Sequence, residues 1–562
     1  MKPPFDLRSL RRALVAVMLT LAFISSSTSG WPSQATAPES SLTKAEREMA
    51  SRLKVETLRQ TTTALASNEM EGRGTAQSGG DRAAKYLADR FAKLGLKPLG
   101  DSGTYFQAIK FRVSQVLPES SIKAGAAALD FGPDFVVAPP YVYEKADVSG
   151  GLVFVGYGVV SDGLKRDDLA GLDLKGKTVV VIGSGHPKNI DEDDWRRAAN
   201  RQAVFNRIIN SGASALVITD IGNEQQPYEL IANYLSRRRV ELASAPAPPS
   251  SIPPIILISH KGAEKLFAGS GMTFAQAKEK AESGEFVSRD MSKQVEIALR
   301  LKLEEGTGSN VIGLLEGADA ALKQEALVYS AHYDAYGIDL EGNIYAGAAD
   351  NGLGTGIMMS VAEALSKSPS RTRRSIIFLA VTGEEYGLLG AEHWVSNPTW
   401  PIEKVAADIN FDSAGTEIYG PVKNMLAFGG EHSELGAIWD DVVAAIGASK
   451  IDDPLPEEKV FYRSDHYAFV KKGVPAIMPM GGPGGDQAAF IARVKKWLVT
   501  DYHSVADTVR PEWHWDGART VALAGLITGL RVANADAMPR WLKSSPFNQP
   551  RGTNKPPPPI DR

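Results

Sequence analysis

Six residues far apart in the chain are of the types that hold divalent ions or move protons: His332, Asp350, Glu384, Glu385, Asp412 and His503. Each sits where a ligand is easily presented. His332, with Asp334 two positions on, follows the apolar run Ala326 to Ala331. Glu384 and Glu385 follow the run Ser375 to Val381, and Asp412 ends the run Val405 to Phe411. Asp350 lies in the glycine-rich stretch from Ala346 to Gly356, where glycines let backbone crowd an ion. His503 lies within Asp501-Tyr-His-Ser-Val-Ala-Asp507, ahead of another helical stretch. Taken singly, each has an ordinary reading: a packed histidine, a capping aspartate, an acidic helix start favoured by the dipole. Their joint occurrence at the ends of successive apolar runs points to a common site.

The chain has no cysteine, so a metal must be held by imidazole and carboxylate. Two histidines with three carboxylates suit a pair of divalent ions, each taking one imidazole, one carboxylate of its own and one shared carboxylate. Zinc fits that donor set. Two ions roughly 3.5–4 Å apart can clamp one hydroxide, lower its pKa towards neutrality and polarise a peptide carbonyl. A further carboxylate is then needed as base. Adjacent Glu384 and Glu385 supply that division of labour, one facing metal and the other water. Asp334 is suited to hold the second ring nitrogen of His332 and fix its tautomer.

The elements that must position these residues alternate from Ser309 onward. Apolar strands at 326–331, 375–381 and 405–411 are separated by helices from about Thr355 to Ser366 and near Leu388 to Val395. Such alternation predicts an α/β fold with a mostly parallel-centred mixed sheet sandwiched by helices, and sites in such sheets form at the carboxyl ends of strands. Upstream, Asp81 to Leu94 carries Ala84, Leu87, Phe91 and Leu94 at helical spacing. Residues 117–295 instead show short apolar runs broken by Gly, Pro and Asp, which predicts an inserted β-rich module between catalytic segments at 42–116 and 296–543.

Composition excludes some function classes. Lys+Arg of 62 against Asp+Glu of 66 leaves a net charge of -4 with no basic block, which argues against a nucleic-acid partner. Arg8, Arg11 and Arg12, the apolar run Ala13 to Ile24 and small polar residues to Gly30 have the order of a secretory signal over 1–30. That run is shorter than the roughly 20 residues of a membrane span. The mature chain is therefore expected to be periplasmic or extracellular, with no stable membrane span. Residues 544–562, rich in Pro, Asn, Gly and Arg, read as a disordered tail.

The segments His332-Tyr-Asp334, Gly347-Ala-Ala-Asp350-Asn-Gly-Leu-Gly-Thr, Thr382-Gly-Glu-Glu385-Tyr-Gly, Asn410-Phe-Asp412 and Tyr502-His503-Ser-Val-Ala-Asp507 resemble the two-zinc aminopeptidase family. That family includes bacterial leucyl aminopeptidases and, more distantly, glutamate carboxypeptidase II and the transferrin receptor. Met70-Glu-Gly-Arg-Gly-Thr75 is similar to the family's N-terminal segment, and the middle module resembles the protease-associated domain many members carry. The resemblance implies a zinc exopeptidase fold and peptide substrates. His332 and Asp412 would bind one zinc, Glu385 and His503 the other, Asp350 would bridge, and Glu384 would be general acid/base. It also implies substrate contacts from Arg463-Ser-Asp-His466-Tyr-Ala-Phe469, with Tyr462, Asp465 and His466 as candidates and Tyr462 as an oxyanion donor. The remaining histidines, His186, His260, His393, His432 and His514, read as structural. An alternative is a carboxypeptidase or dipeptidase on the same core, for which Arg463 is the nearby cation; a noncatalytic receptor-like ectodomain is the rival of another class, disfavoured by the complete ligand set.

Overall fold

A computed structural model describes residues 41–222, 227–247, 249, 251–412, 418, 420–482 and 485–553. The expected signal at 1–30 and the tail beyond 553 lie outside these residues. The described chain forms two compact units, one of Arg112–Arg239 with Ser244–Glu305, the other of 41–111, Val240–Ala243 and 306–553. Among the described residues no helix is long and apolar enough to cross a membrane.

The second unit begins with helices α1 (Val55–Leu65) and α2 (Ser78–Lys93), the latter burying Ala83, Ala84, Leu87 and Phe91 along one face. The first unit contributes β1 (Phe135–Ala138), β2 (Lys145–Phe154), β3 (Thr178–Ile182), β4 (Ala215–Thr219) and β5 (Ile255–Ile258). Strands β2 to β5 pair in parallel succession and β1 closes one edge antiparallel to β5. Strands β3, β4 and β5 are buried along their whole length, as sheets covered on both faces require. The long strand β6 (Arg289–Leu315) pairs with β2 through its first half and enters the sheet of the second unit through its last residues.

That sheet runs β6, β8 (Ser375–Val381), β7 (Ala326–His332), β9 (Val405–Asn410), β11 (Ala476–Gly481), β10 (Asn424–Phe428). The four inner strands β8, β7, β9 and β11 are parallel and the outer two antiparallel, in keeping with the mixed, parallel-centred sheet expected. Side chains alternate between two cores. Leu327, Tyr329, Ile376 and Phe378 face one with α1, α2, α3 (Gly354–Ser366) and α6 (Trp515–Asn534). Val328, Ile377 and Leu379 face the other with α4 (Leu389–Ser396). A further helix, α5 (Gln487–Thr500), carries Phe490, Val494 and Trp497 on its buried side.

One expectation is corrected. Residues 544–553 are not a free tail: Phe547 is buried among Phe461, Tyr467 and Trp541, and Arg551 donates to the carbonyls of Val405, Ala406 and Pro539. A single aromatic anchor and one arginine give this Pro- and Asn-rich stretch enough contact to dock.

Helices α1 and α3 meet where Gly356 allows it. A Cβ at Gly356 would lie 2.5 Å from Thr62 Oγ1 and 2.8 Å from the Leu58 carbonyl oxygen. Gly356→Val is expected to force these helices apart and destabilise the fold by about 2–3 kcal/mol, read as a lowered urea midpoint at unchanged slope.

Candidate metal centre

The carboxyl ends of β7, β8 and β9 deliver His332, the Glu384–Glu385 pair and Asp412, while the loops at 346–353 and 501–507 deliver Asp350 and His503. Gly383, at φ +77°, turns the chain out of β8 so that Glu384 and Glu385 start a short 3₁₀ turn. Two sets of ligand atoms result, His332 with Asp350 and Asp412, and Asp350 with Glu385 and His503, and Asp350 belongs to both. One oxygen of Asp350 lies 3.3 Å from His332 Nε2 and the other 3.3 Å from His503 Nε2. Asp412 Oδ1 is 3.4 Å from His332 Nε2, and Glu385 Oε2 is 3.0 Å from His503 Nε2. Glu384 Oε2 stands slightly farther off, 3.8 Å from His332 Nε2. All six residues named from the sequence therefore meet in one place.

The second nitrogen of each histidine is engaged elsewhere, which aims Nε2 at the cluster. His332 Nδ1 faces the backbone carbonyl of Asp334 at 3.3 Å, and His503 Nδ1 faces the Tyr336 hydroxyl at 3.2 Å. The Asp334 carboxylate, expected to take His332 Nδ1 itself, is 3.7 Å away and instead accepts from Thr75 and from the Glu384 backbone N–H. Its backbone performs the expected task while its side chain ties the β7 and β8 ends together.

Burial of this much charge shifts the titration of several members. Burial pulls His332 down, but Glu384, Asp412, Asp334 and Asp350 outweigh it and hold the imidazole well above its ordinary range. His503 is raised against its burial by Glu385 and Asp350. Asp350 is pulled below the usual carboxylate range by its two imidazoles despite burial. Glu384 is raised well above its ordinary value by burial, with Asp412, Asp465 and Glu385 adding to the rise and His332 opposing it. Among the described residues, buried His332 Nε2 and Glu385 Oε2 complete no hydrogen bond despite their close approaches to Asp350, Asp412 and His503. Hard and borderline donors converging with unsatisfied buried atoms fit divalent cations, and the imidazole–carboxylate set without thiolate fits zinc.

Two supports hold the ligand-bearing loops in place. Arg73 is buried and donates at 2.5–2.7 Å to the carbonyls of Tyr333, Leu65, Ala346 and Gly347, gathering the loops that carry His332 and Asp350. Asp507 accepts from the backbone N–H groups of Ala349 and Asp350, and burial raises its pKa to about 7. The motif around Arg73 was visible, but nothing in it says which carbonyls a single guanidinium would collect.

A cavity of about 110 Å³ opens on Asp350, Glu384 and Asp412. From the segment expected to contact substrate it is lined by Arg463 and Ser464, while Tyr462, Asp465 and His466 are not among its lining residues. Tyr462 packs edge-on against Phe461 and Tyr467. Asp465 is fully buried, its pKa pushed well up by burial, with His332 opposing and Asp412 and Asp334 adding. His466 is fully buried against Phe461, and burial depresses it to about 3. The tyrosine that reaches the cavity is Tyr502, stacked on His503 at 3.6 Å between ring centres, its hydroxyl accepting from Arg463 at 3.3 Å. The signal for it was adjacency to His503 rather than the loop at 462.

A parallel-centred α/β sheet with two ligand sets sharing one carboxylate at its strand ends defines the class of centre. In comparison with known proteins, residues 310–526 match the model for peptidase family M28. An aminopeptidase of Bacillus subtilis (strain 168) is 34% identical over 129 residues, 22% of this chain and 26% of that protein. A probable glutamate carboxypeptidase of Arabidopsis thaliana is 29% identical over 189 residues, 33% of this chain and 24% of that protein. The chain thus spans about a quarter of the length of these curated relatives. Among solved structures, an aminopeptidase from Aneurinibacillus sp. strain AM-1 superposes with a TM-score of 0.55 at 18% identity, covering 88% of this chain and 97% of that one. That likeness establishes a shared fold.

Two expectations follow. Arg73→Met leaves four buried carbonyls without their donor and should cost at least about 3 kcal/mol; chemical denaturation and zinc content measured on the same samples should both fall. For His466 the sign is that of a group with a depressed folded pKa: the unfolded chain protonates near 6.5, the folded one near 3, so stability is full above pH 6.5 and is lost as pH falls towards 3. Between pH 7 and pH 5, His466→Gln should lose about 2 kcal/mol less than the parent chain in urea titrations.

Proposed function

We propose that this chain is an exported two-zinc aminopeptidase that removes N-terminal residues from peptides. The observation that carries the reading is the Asp350 carboxylate, one oxygen towards each imidazole, with Glu384 beside it on the wall of a cavity. His332 and Asp412 would hold one ion, Glu385 and His503 the other, and Asp350 both. Bound zinc would supply Lewis acidity to the peptide carbonyl and bring the pKa of a water towards neutrality. Glu384 takes the proton of the attacking water and returns it to the leaving amine. Tyr502, whose oxygen accepts from Arg463, has its hydroxyl proton to donate to the carbonyl oxygen as charge grows there. The basic-then-apolar order of residues 8–30 supports export, and we assign the unit of Arg112–Arg239 and Ser244–Glu305 as a protease-associated domain.

A carboxypeptidase or dipeptidase reading draws on Arg463, which lines the cavity and could take a substrate carboxylate. It is the weaker reading because Arg463 already pairs with Glu458 at 3.2 Å and bonds Tyr502.

The test combines metal analysis with paired peptides bearing free or acetylated N-termini. The parent chain should hold two zinc equivalents and cleave only the free-amine series; cleavage of acetylated peptides at comparable rates would refute the aminopeptidase assignment. Glu384→Gln should retain both metals and lose kcat by about a thousandfold.

A further inference from the structure

The cavity beside the centre has walls of two kinds. Phe428, Met478 and Met480 from β10 and β11, with Leu455, Phe490 and Trp497, make most of it apolar. Away from the ligand cluster, three charged residues line it: Arg463, Glu458 and Asp453. Glu458 is compensated by Arg463 at 3.2 Å. Asp453 is not: among the described residues it accepts one hydrogen bond, from the Leu455 backbone N–H at 2.9 Å, and has no cation at ion-pair distance. The carboxylates that act on it are Glu457, Glu431 and Glu458, whereas those acting on Glu384 are Asp412, Asp465 and Glu385. Asp453 belongs to neither set of converging ligand atoms. Burial, reinforced by the three glutamates, holds its carboxyl above the usual range, so it gains more from an incoming cation than an exposed carboxylate would.

An apolar channel carrying one uncompensated, half-buried carboxylate is complementary to a side chain with an aliphatic stem and a cationic tip. A purely apolar side chain would fill the same walls but leave Asp453 desolvated without a partner, which penalises it. Resting on the aminopeptidase reading above, we propose that the cavity receives the side chain of the N-terminal residue and that Asp453 selects lysine or arginine there.

The experiment compares lysyl- and norleucyl-4-nitroanilide, whose side chains differ chiefly in the terminal ammonium, on the zinc-loaded full chain, alongside calorimetric binding of lysinamide and norleucinamide. The lysyl compound should exceed the norleucyl one by about tenfold in kcat/KM and in affinity, and Asp453→Asn should bring both ratios to about one. Hydrolysis of both compounds with no lysyl preference in the parent chain overturns the role of Asp453 and leaves the aminopeptidase reading intact. Hydrolysis of neither, with lysinamide still bound about tenfold more tightly, overturns the aminopeptidase reading and supports a cation-selecting pocket. A preference that survives Asp453→Asn assigns the selectivity elsewhere and overturns the proposal.

Discussion

Four carboxylates and two imidazoles are held within ion-pair distance inside the protein, and the arrangement of the second unit follows from keeping them there. Carboxylates this close repel strongly where the dielectric is low, so the centre has to be imposed by the surrounding fold and then relieved by cations. The imposition is visible in the backbone. Asp507 clamps the N–H groups of Ala349 and Asp350, Asn351 links its own loop to the Phe411 carbonyl at the end of β9, and Thr75 fastens Asp334 to the neighbouring strand end. The ligands are thus fixed by hydrogen bonds that do not involve the ligand atoms themselves, the condition for a preorganised metal site.

A second buried polar layer lies along the same strands. On β7 and β9, Ser330 Oγ faces Asp408 Oδ1 at 2.8 Å and Asn410 Oδ1 at 3.1 Å, and Asn410 donates to Ser464 at 2.6 Å. Ser330 has one proton for two oxygens, which is consistent with a neutral Asp408 supplying another; burial, with Asp465 adding, keeps that carboxyl well above its ordinary range. This layer ties the strand that ends in His332 to the strand that ends in Asp412.

The sheet and the cluster were legible because both depend on short patterns. Largely apolar, fully buried strands such as Ser375–Val381, followed after two residues by Glu384 and Glu385, announce an element and its cargo together. The loop at 462–466 was less legible. Its polar residues looked available, yet Asp465 and His466 fold inward and the cavity takes Arg463 and Ser464 instead. Which way a side chain turns from an irregular loop is set by packing, here of His466 on Phe461 and of Phe461 in turn on Phe547, which lies distant in sequence. The docking of 544–553 was hidden for the same reason, since composition reports the average character of a segment and not one well-placed Phe547.

Arg73 carries a consequence of timing. Its acceptors at Tyr333 and Ala346 lie 260 and 273 positions later in the chain. At synthesis rates of roughly 5–20 residues per second, the arginine waits on the order of tens of seconds for them to emerge. Until they arrive Arg73 has no partner there, so the ligand cluster can close only after both parts of the second unit have been made.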